Sequence, residues 1–301
     1  MKFTTAAPLL LCAGLAAPAF AQSAQEGFYT NGYAELSYFN GFGSNGEVLG
    51  YSEATIGYNT SSGFGAEVGV DALISEGDDE TALYGALTYQ SSFGKLSFGV
   101  PRAAIDAYLG GVPTVAGAVP FKVGALGLTK RSVVSTSYLF TNSDAPIGLR
   151  YDGTFGSTNV GASYHRFNDA DVYDIAANYQ LGQTTLTGAL EHVSSGGTSD
   201  TRYFIGAETK FGQVSAGVLW SGNYALGNDA AVEAYAKFKP LDQLELSATA
   251  LNVDVGSGAS TVFGLSADYT LSQGAYVQAG VADTFNSSSD TAVNLALGLR
   301  F

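Results

Sequence analysis

The chain has 301 residues, of which 13 are Lys or Arg and 27 are Asp or Glu, so its formal net charge is −14. A chain this acidic repels phosphate backbones, which argues against nucleic acid as a partner. Its single cysteine, Cys12, excludes a disulfide framework and a thiolate metal site. The 39 Gly, 18 Tyr and 18 Phe residues, with only 13% charged residues, indicate strands and tight turns rather than helices.

The first residues have the pattern of a secretory signal peptide. A basic start at Lys2 precedes an apolar stretch at residues 6–19, which ends in the cleavage motif Ala19-Phe20-Ala21. The stretch is too short to span a bilayer as a helix. We therefore predict that residues 1–21 are removed on export and that residues 22–301 form one folded domain.

After this segment the chain alternates between apolar and polar residues, in runs separated by clusters of Gly, Asn, Asp and Ser. In residues 64–74, Val68 and Val70 fall on one face while Glu67 and Asp71 fall on the other, because successive strand side chains point to opposite sides. A soluble β-sandwich gives the same alternation, so the period alone does not identify the environment of the apolar face.

Two further patterns favour a transmembrane β-barrel. Aromatic residues of the apolar rows collect at strand ends, as membrane interfaces require; they are Tyr38, Tyr164, Tyr203 and Trp220 at one rim, and Tyr58, Tyr89, Tyr179 and Tyr269 at the other. Short connections such as Phe211-Gly212 also alternate with longer ones such as residues 194–200. Outer-membrane barrels have short periplasmic turns and longer outer loops.

The carboxyl end carries the most specific signal. Val293, Leu295, Leu297, Leu299 and Phe301 form one apolar row that ends the sequence. This row resembles the closing strand of Gram-negative outer-membrane proteins, in which a terminal Phe is the signal for the barrel-assembly machinery. The resemblance assigns Phe301 that role.

The strand count locates a long internal connection. A barrel in lipid must close, and bacterial single-chain barrels normally have an even number of strands. Counting back from Phe301 with short turns on one side leaves residues 131–140 without a place as a membrane strand. The sequence therefore predicts an all-β antiparallel barrel of 16 strands, with a long loop at residues 102–146 after the fifth strand. A barrel of this size encloses an aqueous channel.

The mature chain resembles the bacterial general porins, particularly the alphaproteobacterial, Rhodobacter-like type. The similarity includes Gly148-Leu149-Arg150-Tyr151-Asp152 and Val160-Gly161-Ala162-Ser163-Tyr164, which look like the sixth and seventh strands of that family. The resemblance implies a homotrimer in outer-membrane lipid and lipopolysaccharide, passive diffusion of ions and small hydrophilic solutes, and a third outer loop that folds into the barrel. The Pro-Glu-Phe-Gly-Gly stretch of many porins is missing here, so constriction residues do not transfer by motif.

Charged residues on the predicted wet face define the candidate lumen. The acids are Glu35, Glu53, Glu67, Asp71, Asp152, Asp174, Glu191, Glu208, Glu233, Glu245 and Asp268, and the bases are Arg150, Arg202, Lys210 and Lys237. A net negative lumen predicts a mild cation preference that weakens as salt screens the charges. Within the long loop, Asp106, Lys122, Lys130 and Arg131 are the candidates for the narrowest zone, or alternatively lie at the exposed ends of the loop.

Other chemistries have weaker support. An acidic run could bind calcium through its oxygens but lacks the ordered spacing of a calcium loop; it contains Glu76, Asp78, Asp79 and Glu80. No other cofactor is expected. Neither His165 nor His192 has an evident nucleophile with an orienting third residue, which argues against an enzyme. The alternatives are a substrate-selective channel, a lipase or protease carried on a barrel, and a structural or adhesive barrel.

Overall fold

The computed structural model describes residues 26–42, 44–77, 79–141, 144–226, 229–255, 258–284 and 291–301. The signal segment lies outside these residues, so its cleavage stays a prediction. Sixteen antiparallel strands form one closed barrel in which each strand pairs with its sequence neighbours and β1 pairs with β16. The predicted strand number is confirmed. No helix among the described residues is long and apolar enough to cross a membrane.

The strands have the following bounds: β1 Gly27–Gly41, β2 Ser44–Asn59, β3 Phe64–Ile74, β4 Asp79–Ser91, β5 Gly94–Val100, β6 Ile147–Phe155, β7 Thr158–Phe167, β8 Ala170–Leu181, β9 Thr184–Ser195, β10 Thr198–Phe211, β11 Val214–Gly222, β12 Ala230–Leu241, β13 Leu244–Val255, β14 Gly258–Thr270, β15 Ala275–Thr284 and β16 Ala292–Arg300.

Alternation along the strands separates the two faces of the wall. Leu36 on β1 and Leu295 on β16 are 60% and 58% exposed and face outward, where lipid would cover them. Phe301 departs from its predicted row, because its side chain is only 7% exposed and borders an internal cavity. Its backbone pairs with Gly32 through hydrogen bonds of 2.9 and 3.0 Å, and this pairing continues the seam between β1 and β16.

A long segment between β5 and β6, residues 101–146, lies inside the barrel, and we call it the inserted loop. It contains helix α1 (Ala104–Leu109), two 3₁₀ turns (Val115–Gly117 and Val119–Phe121), helix α2 (Gly124–Gly127) and helix α3 (Val133–Phe140). The first helix packs on β7, β8 and β9, the first 3₁₀ turn packs on β13 to β15, and α3 packs on β3 and β4. The residues left over by the strand count are thus largely helical and lie in the lumen.

The inner face is apolar in part, near the ends of the strands that carry the longer loops. Leu49 on β2, Leu251 and Val253 on β13 and other inward side chains form a buried cluster with Val119 and Leu139 of the inserted loop. Burying a large apolar side chain contributes about 1.5–3 kcal/mol. The inserted loop is therefore held in the lumen partly by an apolar core of its own.

Candidate pore constriction

Arg102 is the second residue of the inserted loop and contacts the wall at β3, two strands away from β5. Its Nη1 lies 2.5 Å from Oδ1 of Asp71 on β3, and its Nη2 donates to the carbonyl of Ala54 at 3.1 Å. Its guanidinium also stacks 4.3 Å from the ring centre of Tyr84. Asp71 is fully buried, so the pair compensates a carboxylate that could not otherwise remain charged there.

Arg131 forms the second contact between the inserted loop and this acidic part of the wall. Its Nη1 lies 2.5 Å from Oε1 of Glu53 and 2.7 Å from the hydroxyl of Tyr51, and its Nη2 lies 3.3 Å from Oδ2 of Asp71. Arg131 and Arg102 therefore share one carboxylate. The loop is basic and the wall acidic at this level of the barrel.

Two lysines attach the loop to the other side of the wall. Lys130 is buried and pairs with Glu233 on β12 at 3.1 Å, while also donating to the carbonyl of Pro113 at 2.8 Å. Lys237 on β12 pairs with Glu208 on β10 at 2.5 Å, and its Nζ lies 3.5 Å from the carbonyl oxygen of Gly111 in the loop. These contacts place the predicted lumen residues Glu208, Glu233 and Lys237 on the inner face.

Asp106 connects two helices of the loop through hydrogen bonds. Its carboxylate accepts hydrogen bonds from the backbone nitrogen of Ser132 at 2.8 Å and from the hydroxyl of Ser135. These residues begin α3, and a carboxylate at a helix N-terminus satisfies unpaired backbone donors. Asp106 therefore ties α1 to the start of α3.

Arg202 on β10 holds the chain entering α3 from the other side. Its guanidinium is fully buried, pairs with Glu191 on β9 and donates to the carbonyls of Leu128 and Arg131, the latter at 2.8 Å. Glu191 in turn accepts from the backbone nitrogen of Val133 at 3.1 Å. The two Nη groups of Arg202 are hydrogen-bonded and fix the path of the backbone here, while its Nε has no hydrogen-bond partner among the described residues.

The tip of the inserted loop fits against glycines of the wall. Ala116 has a left-handed φ of 52° and lies against Gly264 on β14 and Gly280 on β15. A Cβ at Gly264 would lie 2.5 Å from the nitrogen of Ala116, and one at Gly280 would overlap its carbonyl oxygen. The close approach of two backbones requires residues without a side chain here.

Beneath the loop, toward the short turns, two cavities of about 1360 and 430 Å³ occupy the lumen. All four predicted constriction residues, Asp106, Lys122, Lys130 and Arg131, border the larger cavity. Lys122 borders both cavities. Burial lowers the pKa of Lys122 below its ordinary value, although the nearby carboxylates of Glu53 and Glu35 oppose this shift.

The remaining predicted lumen residues also lie on the inner face. Arg150 pairs with Asp152 at 2.7 Å, and Glu35 accepts a hydrogen bond of 2.6 Å from Tyr276. Glu67 pairs at 2.5 Å with Lys95, a cation that the sequence analysis did not select. Arg102, Lys239 and Arg300 are further cations of the lumen that were not predicted from the sequence. The alternation places Lys95 and Lys239 on the wet face, whereas Arg102 lies two residues after the end of β5, where alternation no longer applies.

The acidic run proposed for calcium is only partly described, because Asp78 lies outside the described residues. Among those that are described, no group of three or more His, Cys, Asp or Glu side chains could hold a metal ion. Glu76 lies in the connection between β3 and β4, and Asp79 and Glu80 begin β4. Calcium binding there stays a prediction.

A closed sixteen-stranded barrel with an inserted loop defines the chain as a transmembrane channel of the outer-membrane type. The sequence profile of Gram-negative porins matches residues 5–289, and the chain belongs to this family. Porins are outer-membrane diffusion channels, not enzymes. Comparison with curated protein sequences finds no significant match.

Solved porin structures have the same fold. A five-substitution variant of Rhodopseudomonas blastica porin has a TM-score of 0.68 at 19% identity, covering 91% of this chain and 100% of its own. A porin refined at 1.8 Å resolution has a TM-score of 0.65 at 19% identity with the same coverage. A triple variant of the blastica porin has a TM-score of 0.67 at 18% identity, again with the same coverage. The predicted barrel with a loop after the fifth strand is confirmed.

Proposed function

We propose that the chain is a general-diffusion channel for ions and small hydrophilic solutes, in which the inserted loop forms the constriction. The observation that carries this proposal is the course of residues 101–146 across the lumen, with cavities of about 1360 and 430 Å³ beneath it that charged side chains border. Asp106, Lys122, Lys130 and Arg131 then border the path of the solute. Water fills the cavities and solutes pass along their charged lining.

A mild cation preference is the second part of the proposal. The ends of the strands that carry the longer loops, which face outward in porins, are strongly acidic. Together with the one base Arg166, these ends and loops carry the acids Glu47, Glu76, Asp79, Glu80, Asp144, Asp169, Asp171, Asp200, Asp229, Asp254 and Asp283 among the described residues. Charges of one sign at a channel mouth concentrate counter-ions, and salt screens this effect. Inside, ion pairs such as Lys95 with Glu67 and Arg300 with Asp268 balance many acids, which keeps the preference small.

Family membership supports three further elements of the proposal. The chain is exported with removal of residues 1–21, assembles into the outer membrane with Phe301 as the recognised end, and forms a homotrimer. Lipid and lipopolysaccharide cover the outward rows of Leu, Val and aromatic side chains. The molecular mass in detergent, before and after heating, tests the trimer.

Single-channel recording in planar bilayers tests the function directly. The proposal expects steady, ohmic steps in KCl and a reversal potential of cation-selective sign in a KCl gradient, shrinking as the mean salt concentration rises. A barrel that inserts without ohmic steps would contradict the diffusion channel. A zero or anion-selective potential at low salt would contradict the charge argument alone.

A further inference from the structure

Four side chains lie where the two cavities of the lumen meet. Tyr33, Thr114, Lys122 and Arg300 border both the cavity of about 1360 Å³ and that of about 430 Å³. A water molecule in the liquid occupies about 30 Å³, so either space admits a small organic solute together with water. A solute crossing the lower lumen passes these four residues.

Lys122 is a cation without an ionic partner at this junction. Among the described residues no carboxylate comes within ion-pair distance of its Nζ, which lies 3.9 Å from the ring centre of Tyr33 and 5.5 Å from that of Tyr51. The two acidic residues nearest to Lys122 already interact with other donors. Glu53 holds Arg131 and the hydroxyl of Tyr51, both at 2.5 Å, and Glu35 holds the hydroxyl of Tyr276 at 2.6 Å.

Tyr33 contributes a second unsatisfied donor beside it. Its hydroxyl is buried and has no hydrogen-bond partner among the described residues. A buried donor left without a partner costs about 1–3 kcal/mol, and a water, an ion or a functional role is among the explanations of such a group in a native structure. Lys122 and Tyr33 therefore present an unpaired ammonium and an unpaired hydroxyl within one site, since Nζ lies over the tyrosine ring.

The charged side chains that border the larger cavity are mostly cationic, which suits an anionic solute. Seven cationic and four acidic side chains border the larger cavity, namely Lys95, Arg102, Lys122, Lys130, Arg131, Arg150 and Arg300 against Glu53, Glu67, Asp106 and Asp152. The chain as a whole carries a formal charge of −14. The cationic excess is therefore local to the larger cavity, since the smaller one is bordered by Lys122, Lys239 and Arg300 against Glu35, Asp242, Glu245 and Asp268.

We propose that Lys122 and Tyr33 form a binding site for solutes that carry anionic oxygens, a carboxylate or a phosphate, at the junction of the two cavities. The ammonium supplies the charge and the hydroxyl a directed hydrogen bond to the same group. The acidic outer mouth governs which small ions enter, and this inner site retains particular anionic solutes on their way. The inference rests on the proposed diffusion channel and names a solute class that it holds.

Partial block of the KCl current tests the site with the full chain in planar bilayers. Inorganic phosphate and succinate are added in separate series, which distinguishes the two anionic chemistries. We expect at least one of them to reduce the single-channel current with a saturating concentration dependence. Lys122→Met should raise the half-blocking concentration at least about tenfold, and Tyr33→Phe about tenfold, as expected for a hydrogen bond to a charged group.

Lys239→Met is the matched control. This lysine borders the smaller cavity, but its side chain is 61% exposed and pairs with Glu245 at 3.1 Å. Its removal takes away the same charge and should leave the block unchanged. Tyr33→Phe keeps the ring under Lys122, so it tests the site even where Lys122→Met yields no channels.

The outcomes separate the site from the channel. No ohmic current in the natural chain would defeat the diffusion channel itself. Ohmic current without block by phosphate or succinate would defeat the binding site alone. Equal block in the natural chain and in both site variants, or equal weakening in the Lys239→Met control, would also overturn it.

Discussion

Arg131 of the inserted loop lies 2.5 Å from Glu53 of β2, and this ion pair joins the loop to the acidic part of the wall. The carbonyl of the same residue accepts a hydrogen bond of 2.8 Å from Arg202 on β10. One residue thus connects strands that are eight positions apart around the barrel. Arg131 contacts opposite sides of the wall through its side chain and its backbone carbonyl, and this position limits the space left for a solute.

The buried pair of Arg202 and Glu191 should hold the loop entering α3. Replacing Arg202 alone by Met leaves the Glu191 carboxylate buried and uncompensated, which costs about 3–5 kcal/mol. We expect the free energy of unfolding to fall by this amount. Urea titration in lipid vesicles measures it, with the fluorescence of Trp220, the single tryptophan, as the probe.

The double variant Arg202→Met with Glu191→Leu is the control for that experiment. Replacing both members of a buried pair by apolar residues is often neutral, so the double variant should recover much of the lost stability. Two single losses that simply add in the double variant would show that the pair has no coupling of this kind.

The wall glycines that contact the loop tip, Gly264 and Gly280, should set the position of the constriction. Gly280→Ala places a Cβ against the carbonyl of Ala116, so the tip must move and the single-channel conductance should change. Gly188→Ala is the matched control, because a Cβ there meets nothing within 4 Å. Identical conductance of the two variants would mean that the tip does not border the path of the ions.

Phe301 should be needed for assembly. Its backbone closes β16 on β1 beside Gly32, and its ring is buried. Phe301→Ala should lower the yield of folded barrel in the outer membrane several-fold while the chain still reaches the periplasm. Phe28→Ala removes a ring that is 81% exposed and should leave the yield unchanged. Equal yields of heat-modifiable barrel from both variants would remove the assigned role.

The charge of Lys122 should depend on pH within an accessible range. Burial lowers its pKa, so as the pH rises this lysine loses its proton before an ordinary lysine, whose pKa is about 10.4. Loss of one positive charge in the lumen should shift the reversal potential toward cation selectivity as the pH rises. Lys122→Met should abolish this shift and Lys239→Met should keep it. Parallel curves for the natural chain and Lys122→Met would contradict the prediction.

The strands were predictable from the sequence because alternation and turn signals depend only on residues close together in the chain. Alternation over residues 64–74 separates Val68 from Glu67, and the short turns set the direction of each strand without any knowledge of distant contacts. The loop followed from counting, since residues 131–140 had no place in an even-numbered wall. The departure of Phe301 from its outward row was not predictable, because it depends on a partner at the far end of the chain.

The interior of the lumen was less predictable because its contacts join distant parts of the sequence. Lys130 meets Glu233 and Arg131 meets Glu53, and no local pattern pairs these residues. One signal was available and overlooked. Leu49 and Tyr51 share the face of Glu53 on β2, and an apolar residue on the wet face indicates that something apolar covers it.

Removal of the loop tip tests the central claim, that the inserted loop constricts the channel, most directly. Residues 112–126 are replaced by a short Gly/Ser linker, which keeps Arg102, Lys130 and Arg131 with their partners on the wall and Asp106 with its partners at the start of α3. We predict heat-modifiable barrels whose single-channel conductance in KCl is clearly higher than that of the natural chain. Folded barrels with unchanged conductance would show that the loop does not limit the flow of ions and would contradict the account.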